Sequence, residues 1–172
     1  NIAPKFEVPW RFLSRINNDL DPRRLQIGQR LKVVRGPFHM VVHKDAFRAD
    51  LYLQDMYVRS FAVGLGAHGS TPLGSFIVKK HSKLTNPEWV NPRTGERYNA
   101  EDPENPLGER WIGLRGTDEN TELLRGYGLH GTIEPETIGT QASMGCIRFL
   151  PDDIAMIFDL MSEEKSRVII VR

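Results

Sequence analysis

The sequence predicts a mainly β fold with one packed helix, preceded by a small segment that contains both helix and strand. Apolar residues alternate with a period of two in several runs after Phe38, as they do in half-buried strands. Residues 151–162 carry the clearest helical pattern. Residues 1–36 follow a different pattern that ends at Arg35-Gly36-Pro37. We therefore predict two domains, residues 1–36 and residues 38–172.

The first domain is predicted to contain a short amphipathic helix after Pro9. Apolar residues recur there at spacings of three, three and four positions, at Trp10, Leu13, Ile16 and Leu20. Residues 17–22 have the composition of a turn, and "RLKVV", residues 30–34, predicts a short strand. This domain is therefore expected to be a small α/β unit.

The second domain begins with a predicted hairpin meander. "FHMVVHK", "RADLYLQ" and "MYVRSFAVGLG" are β-rich runs separated by short polar breaks. Further strands are predicted at "GSFIVKKH", "RWIGLR", "YGLHGT" and "SRVIIVR". Residues 81–109 are rich in proline and polar residues. We predict that they form a binding loop or lid, because structureless connections of that length are uncommon in compact domains.

The predicted helix lies within "PDDIAMIFDLMS", residues 151–162. Pro151 suits the first turn, and Asp152 and Asp153 suit the positive end of the helix dipole. The apolar residues of this stretch fall on one helix face: Ile154, Ile157, Phe158 and Met161. We expect this face to pack on the sheet.

Composition excludes several function classes. The formal net charge is +1 and the basic residues are scattered, so we expect no nucleic-acid partner. No apolar run approaches the roughly 18 residues that a membrane helix needs. The single cysteine, Cys146, excludes an internal disulfide and a cysteine-cluster metal site. His39 and His43 lack an evident third ligand for zinc, so neither a metal nor another cofactor is expected.

Cys146 is the candidate nucleophile, and His130 is its candidate base. A thiol attacks effectively only as a thiolate, which needs an adjacent base or a positive field. His130 lies 16 residues before Cys146, which is too far for one helix face and suits neighbouring strands joined by a loop. We expect the imidazole within hydrogen-bond reach of the thiol, or one water molecule away. There it can accept the thiol proton and later pass a proton to a leaving amine.

The neighbouring residues fit the same chemistry. Gly145 can adopt a backbone conformation that other residues resist, so its amide and that of Cys146 are predicted to face an oxyanion. The Gly131 carbonyl is predicted to hold the second ring nitrogen of His130. Arg148 should share a strand face with Cys146, where its guanidinium suits a substrate carboxylate. A structural alternative remains open: a buried free cysteine, a structural histidine, a turn glycine and a surface ion pair.

Four segments carry a family resemblance: "GAHGSTPLGSFIV", "NPLGERWIGL", "HGT" and "ASMGCIRF". Together they resemble the signature of the YkuD-type L,D-transpeptidases, in the family's order and within residues 38–172. Many members carry histidine directly before the glycine–cysteine pair, where this chain has Met144. We expect that difference to affect substrate fit or the thiol environment more than activity.

The resemblance implies a β-sandwich or barrel that acts on peptidoglycan stem peptides. Cys146 would attack the carbonyl of the third residue and release the terminal D-alanine. The resulting thioester would then pass its acyl group to an amine of a second stem peptide, which links two third residues. The implied catalytic residues are Cys146, His130, Gly131 and Gly145, and the implied substrate-binding residues are Arg148, Ser143 and Met144. For Ser143, hydrogen bonds that tie down the loop are also expected, and for Arg148, bracing of its strand; Thr71 and Trp111 are expected to be structural.

Residues 1–36 resemble a LysM module from midway through its first helix onward. The matching positions are Asn17, Pro22, Leu25, Gly28, Gln29 and Leu31. This resemblance implies an incomplete peptidoglycan-binding module with a glycan partner; the alternative is an appendage that only packs on the catalytic domain. An extracytoplasmic location, a role in cell-wall biogenesis and cell shape, and inhibition by carbapenems are further implications. Because the chain begins at Asn1, we expect a processed or trimmed chain.

Two rival functions remain open. An L,D-carboxypeptidase would use the same site with water as the acceptor, and a non-catalytic wall-binding protein would retain the fold alone. Other cysteine enzymes fit poorly. Papain-like proteases place cysteine before histidine, caspases place histidine about 50 residues upstream, and sortases use threonine–cysteine with a more distant arginine.

Overall fold

The structure is a computed structural model that describes residues 2–172. Two α-helices are present in this range, α1 (Trp10–Ile16) and α2 (Pro151–Leu160). The strands in chain order are β1 (Phe38–His43), β2 (Arg48–Leu53), β3 (Met56–Ala62), β4 (Leu65–Gly66), β5 (Gly74–Thr85), β6 (Trp89–Val90), β7 (Arg97–Tyr98), β8 (Arg110–Gly116), β9 (Gly128–His130), β10 (Gln141–Ser143), β11 (Ile147–Arg148) and β12 (Arg167–Val171). The predicted mainly β class is confirmed.

Eight strands form one curled sheet in the order β11-β9-β8-β5-β12-β1-β2-β3. The β1–β12 and β9–β11 pairs are parallel, whereas the other neighbours in this sheet are antiparallel. The β1–β2–β3 hairpins confirm the predicted meander. Strand β5 pairs with both β12 and β8, and its register with β8 shifts between Val78 and Lys83. Such irregularities bend a strand, so the shift helps the sheet to curl.

Helix α2 covers one face of this sheet, as the sequence predicts. Ile154 and Ile157 are fully buried and join a core that includes Ile112, Leu129 and Ile147 of the sheet. Removal of these apolar side chains from water is the main stabilising contribution of the contact. The helix begins at Pro151, as predicted, and carries the two aspartates in its first turn.

The N-terminal segment packs against the sheet domain through a few anchors. Leu13 of α1 is buried, and the edge of the Phe12 ring lies against Phe38, with 5.4 Å between ring centroids. The Arg15 guanidinium lies 3.0 Å from the Asp159 carboxylate of α2. The predicted helix after Pro9 is therefore confirmed, and its buried face continues the main core.

The predicted strand at residues 30–34 does not form, because no neighbouring strand pairs with it within residues 2–172. The side chain of Asn17 takes the place of a strand partner there. Its amide nitrogen donates to the Lys32 carbonyl at 2.9 Å, and its oxygen accepts the Lys32 N–H at 2.7 Å. One carboxamide satisfies a single residue's backbone groups, so the segment stays irregular.

Residues 81–109 are more ordered than the sequence predicts. Strand β5 continues to Thr85, and β6 pairs with β7 in a small antiparallel hairpin. The Trp89 and Tyr98 rings stack with their centroids 5.8 Å apart. Two-residue strands are too short to show a period of two in the sequence, which explains the difference.

No helix within residues 2–172 is long and apolar enough to span a membrane. The same part of the chain contains no group of three or more histidine, cysteine, aspartate or glutamate residues placed to hold a metal ion. His39 accepts the Arg167 N–H at 3.0 Å, and His43 lies 3.2 Å from the Asp50 carboxylate.

Candidate active site

The two parallel strands β9 and β11 bring the predicted catalytic residues to one edge of the sheet. Ile147 pairs with Leu129, and Arg148 pairs with His130. Ile147 and Leu129 are buried in the core, so strand alternation directs Arg148 and His130 to the opposite face. Cys146 directly precedes β11, two residues before Arg148. A separation of 16 residues along the chain is thereby closed by a single pair of neighbouring strands.

The His130 ring is buried and held in one orientation. Its Nδ1 lies 2.6 Å from the Gly131 carbonyl oxygen, and the ring stacks on Trp111 with centroids 5.9 Å apart. Because a carbonyl only accepts hydrogen bonds, Nδ1 carries the proton and Nε2 keeps its lone pair. Burial lowers the pKa of His130 to about 4, although the Gly131 carbonyl partly offsets this effect. The imidazole is therefore neutral at neutral pH and can accept a proton at Nε2.

The Cys146 thiol is partly exposed and protonated at rest. Its Sγ lies 3.5 Å from the Gly126 carbonyl oxygen, to which it donates a weak hydrogen bond. Burial raises the pKa of Cys146 to about 11, against the opposing effects of the Gly128 backbone and the Arg148 charge. No hydrogen bond joins the thiol to His130 in the described part of the chain. The thiol must therefore turn away from Gly126 before the imidazole can take its proton.

The loop before the thiol is fixed by Ser143, which is buried. The Ser143 hydroxyl donates to the Cys146 carbonyl at 2.6 Å and accepts the Gly145 N–H at 3.1 Å. The expected loop-bracing hydrogen bonds of Ser143 are thus present. The Gly145 N–H is therefore engaged by Ser143 in this structure, and the oxyanion role of the Gly145 amide stays a prediction. The Cys146 amide has no hydrogen-bond partner among residues 2–172.

Gly145 is required at its position for conformational and steric reasons. Its φ is +127°, a region that residues with a side chain rarely adopt. A Cβ atom at this position would also lie 2.8 Å from the Tyr127 ring. A glycine therefore lets the backbone turn tightly just before Cys146, while Met144, half-buried, occupies the turn beside it.

The Arg148 guanidinium is directed toward the segment that follows β9. Its Nη1 lies 3.1 Å from the Glu134 carboxylate and 3.2 Å from the Thr137 hydroxyl, and only 13% of the side chain is exposed. The Arg148 Nε is buried without a partner within residues 2–172. In this structure Arg148 braces the edge of the sheet, and Glu134 is a partner that the sequence did not reveal.

Trp111 and Thr71, for which the sequence predicts structural roles, also lie near the site. Trp111 stacks on His130, and the Thr71 hydroxyl donates to the Gly145 carbonyl at 3.0 Å. The sequence places Trp111 and Thr71 in motifs with glycine or proline neighbours. It does not reveal that Trp111 contacts the His130 ring or that Thr71 contacts the Gly145 carbonyl. The residues that flank the β6–β7 hairpin, residue 86 and residues within 101–109, line a cavity of about 540 Å³ together with Gly131.

Comparison with known proteins identifies the family. The sequence profile of YkuD, described as an L,D-transpeptidase catalytic domain, matches residues 37–170. YqjB of Bacillus subtilis, which is named as an L,D-transpeptidase, is 34% identical over 126 residues, or 72% of this chain and 65% of YqjB. YkuD of Bacillus licheniformis, named in the same way, is 26% identical over 161 residues, which cover 90% of this chain and 82% of that protein.

Solved structures show the same fold. An L,D-transpeptidase from Mycobacterium smegmatis superposes with a TM-score of 0.58 at 18% identity, over 86% of this chain and 65% of that one. The L,D-transpeptidase LdtMt1 in complex with imipenem gives a TM-score of 0.60 at 19% identity, over 81% of this chain and 61% of that one. The chain thus spans about two thirds of the length of several of these relatives. From the profile match across the sheet domain, we conclude that the chain belongs to the YkuD family of L,D-transpeptidase catalytic domains.

Proposed function

We propose that this chain is a cysteine-dependent L,D-transpeptidase that acts on peptidoglycan stem peptides through a thioester intermediate. One observation carries the proposal beyond family membership. The Gly131 carbonyl engages Nδ1 of His130, which leaves Nε2 as a base on the strand beside Cys146. The fixed tautomer thus directs the free lone pair to the ring nitrogen that a general base would use.

The first half-reaction transfers the acyl group to sulfur. The thiol rotates from the Gly126 carbonyl toward His130, and its proton moves to Nε2 as sulfur attacks the carbonyl carbon of the third stem residue. The C–N bond to the terminal D-alanine then breaks, and the protonated imidazole gives its proton to the leaving amine. A thioester on Cys146 and a free D-alanine result, and His130 is neutral again.

The second half-reaction releases the product. The side-chain amine of a second stem peptide attacks the thioester carbonyl and loses a proton to His130. The C–S bond breaks, and the proton returns to sulfur. The new amide joins two third residues, and the free thiol is restored. Dividing the exchange into two acyl transfers replaces one difficult step with two easier ones.

The resting protonation states favour proton transfer that is coupled to attack. The thiol has a pKa of about 11 and the imidazole a pKa of about 4, so a preformed thiolate–imidazolium pair is strongly disfavoured in the unliganded site. During attack, the negative charge passes to the carbonyl oxygen instead of resting on sulfur. A donor for that oxygen is therefore essential, and the unpaired Cys146 amide is the candidate.

Substrate contacts complete the proposal. Arg148 binds a stem carboxylate in this proposal by exchanging the Glu134 carboxylate at Nη1 for that of the substrate, with the unpartnered Nε as a second donor. Met144 contacts the donor from the turn before the thiol. Residues 81–109 cover the donor groove in this proposal, since residue 86 and residues within 101–109 line the cavity beside Gly131.

Product analysis tests the proposal and distinguishes the two acceptors. The protein is incubated with a stem tetrapeptide, with and without a second stem that carries a free amine. A cross-linked dimer identifies a transpeptidase, whereas a tripeptide as the sole product in both reactions identifies an L,D-carboxypeptidase. Imipenem supplies a second probe. An adduct on Cys146, detected by intact and peptide mass spectrometry, supports the thioester chemistry. If neither an adduct nor a product forms, the protein is instead a non-catalytic wall-binding protein.

The proposed substrate also suggests a role for the N-terminal segment and a location. We propose that residues 1–36 are a partial LysM-like module that contacts glycan and that the protein works outside the cytoplasm in cell-wall biogenesis. Trp10, which is 52% exposed, lines a groove of about 330 Å³ with Leu20 and Leu25. Exposed aromatic and apolar walls of this kind suit the faces of sugar rings. Co-sedimentation with purified glycan strands, compared between the wild type and Trp10→Ala, tests this contact.

A further inference from the structure

The Thr71 side chain makes contacts that a simple turn residue does not need. Thr71 is fully buried, and its hydroxyl donates to the Gly145 carbonyl at 3.0 Å. The same hydroxyl accepts the Gly66 N–H at 2.8 Å. One hydroxyl thus joins the end of β4 to the loop that carries the thiol, and its bond to Gly145 spans 74 positions of sequence.

The backbone is built to let this hydroxyl reach both partners. A Cβ atom on Gly66 would lie 2.7 Å from the Gly145 Cα, so the two backbones meet at a distance that only glycines permit. The Lys44 ammonium, from the turn between β1 and β2, donates to the carbonyl oxygens of Thr71 and Gly69. The Thr71 hydroxyl therefore projects from a segment, residues 69–71, whose backbone Lys44 holds in place.

The contact with Gly145 determines the direction of a different group. The Gly145 carbonyl and the Cys146 N–H belong to one planar peptide unit and point in opposite directions. Holding the carbonyl toward Thr71 therefore turns the Cys146 N–H away from Thr71. That N–H has no partner within residues 2–172, whereas the Gly145 N–H is engaged by Ser143.

We propose that Thr71 is a positioning residue that aims the Cys146 amide at the oxygen on which negative charge develops during acyl transfer. This inference rests on the proposed function, because it assigns a role in that reaction. Thr71 touches neither the substrate nor the thiol, and it acts only through the Gly145–Cys146 peptide. The hydroxyl is the essential group, whereas the methyl group fills space.

The kinetic test compares Thr71→Val, which removes the hydroxyl, with Thr71→Ser, which keeps it. Removing an oxyanion donor commonly lowers kcat by about 100- to 1,000-fold. A donor that is present but wrongly oriented should therefore slow acylation by imipenem about 10- to 100-fold in Thr71→Val. Thr71→Ser should stay within about threefold of the wild type. Alkylation of Cys146 by iodoacetamide forms no oxyanion, so it should proceed at the same rate in all three proteins.

Thr121→Val is the matched control for lost stability. Thr121 is also fully buried, and its hydroxyl donates to the Ser75 carbonyl at 2.8 Å, whereas none of its hydrogen bonds within residues 2–172 reaches residues 143–146. Both valine variants lose buried hydrogen bonds, but only Thr71→Val should be acylated more slowly than the wild type. The inference is wrong if Thr71→Val acylates at the wild-type rate, if Thr71→Ser is as slow as Thr71→Val, or if alkylation falls in parallel with acylation.

An NMR measurement tests the inference without any reaction. The residual dipolar coupling of the Cys146 N–H reports its orientation in the molecule, and Thr71→Val should change it whereas Thr71→Ser should not. An unchanged coupling in Thr71→Val would overturn the inference. If the wild type shows no acylation at all, the proposed function fails, and this coupling still decides whether Thr71 orients the amide.

Discussion

The nucleophile loop and the N-terminal segment are held in place in different ways. Residues 143–146 are fixed by buried hydrogen bonds from Ser143 and Thr71 and by the adjoining β9–β11 pairing. Residues 22–30 are exposed throughout and belong to no sheet, and the N-terminal segment attaches through Leu13 and a few other anchors. A region with several buried polar contacts is held in one conformation, whereas a region with few anchors opens locally at a lower free-energy cost. Chemistry should therefore depend on the first region and tolerate changes in the second.

Cys146→Ala should have the largest effect, because it removes the nucleophile. We expect no imipenem adduct and at least about a 1,000-fold loss of cross-linked product. The fold should survive, since the thiol makes one weak hydrogen bond to Gly126 and is partly exposed. Intact mass spectrometry and a thermal melt by circular dichroism measure both quantities. A variant that is unfolded would instead indicate a structural cysteine.

His130→Gln should reduce acylation by about 100- to 10,000-fold, the range expected for loss of a general base. Glutamine retains a side-chain amide that can donate to the Gly131 carbonyl, so the local fold should be preserved. The measurement is the second-order rate of imipenem adduct formation. Acylation within a factor of three of the wild type would show that another group takes the thiol proton.

The reactivity of the resting thiol should rise steeply with pH. The pKa of Cys146 is raised to about 11, so the thiolate, which is the reactive form, is scarce at pH 7 and increases as the pH rises toward 11. Iodoacetamide alkylation should accelerate about tenfold per pH unit between pH 7 and pH 10. A short cysteine peptide, measured in parallel, should level off near pH 9. A plateau of the protein's rate below pH 9 would reveal a preformed thiolate and contradict coupled proton transfer.

Leu13→Ala should separate stability from chemistry in the N-terminal segment. Leu13 is buried in the core that α1 shares with the sheet domain, so its truncation should lower the free energy of unfolding by about 2–3 kcal/mol. Acylation below the melting transition should stay unchanged, because no catalytic group contacts α1.

Arg15→Gln on the same helix is the matched control and should have the smallest effect. The Arg15 side chain is 60% exposed, so losing its ion pair with Asp159 should cost less than about 1 kcal/mol. Urea denaturation and imipenem kinetics on both variants make the comparison. A large loss of acylation in folded Leu13→Ala would mean that the N-terminal segment takes part in the site.

The sequence-based prediction succeeded where the pattern is local and failed where a partner was needed. The period-two runs and the helix from Pro151 appear as predicted, since alternation and capping depend on nearby residues. The predicted strand at residues 30–34 is absent because a β-strand forms only when a second strand pairs with it. The Ser143 hydroxyl, two residues away, engages the Gly145 amide, a contact that the sequence-based oxyanion prediction did not include. Nothing in the residue types distinguished these two uses of one N–H group.

The sequence by itself determined the family, the order of most strands, and which residues are the candidate nucleophile and base. Its motifs contain Cys146, His130 and the glycines without which the turn before the thiol would not fit. Only the tertiary structure decided which ring nitrogen keeps its proton, where the thiol hydrogen points and which amide remains free. The physical reason is that pKa values depend on burial, and that hydrogen bonds such as the one from Thr71 to Gly145 join groups 74 positions apart.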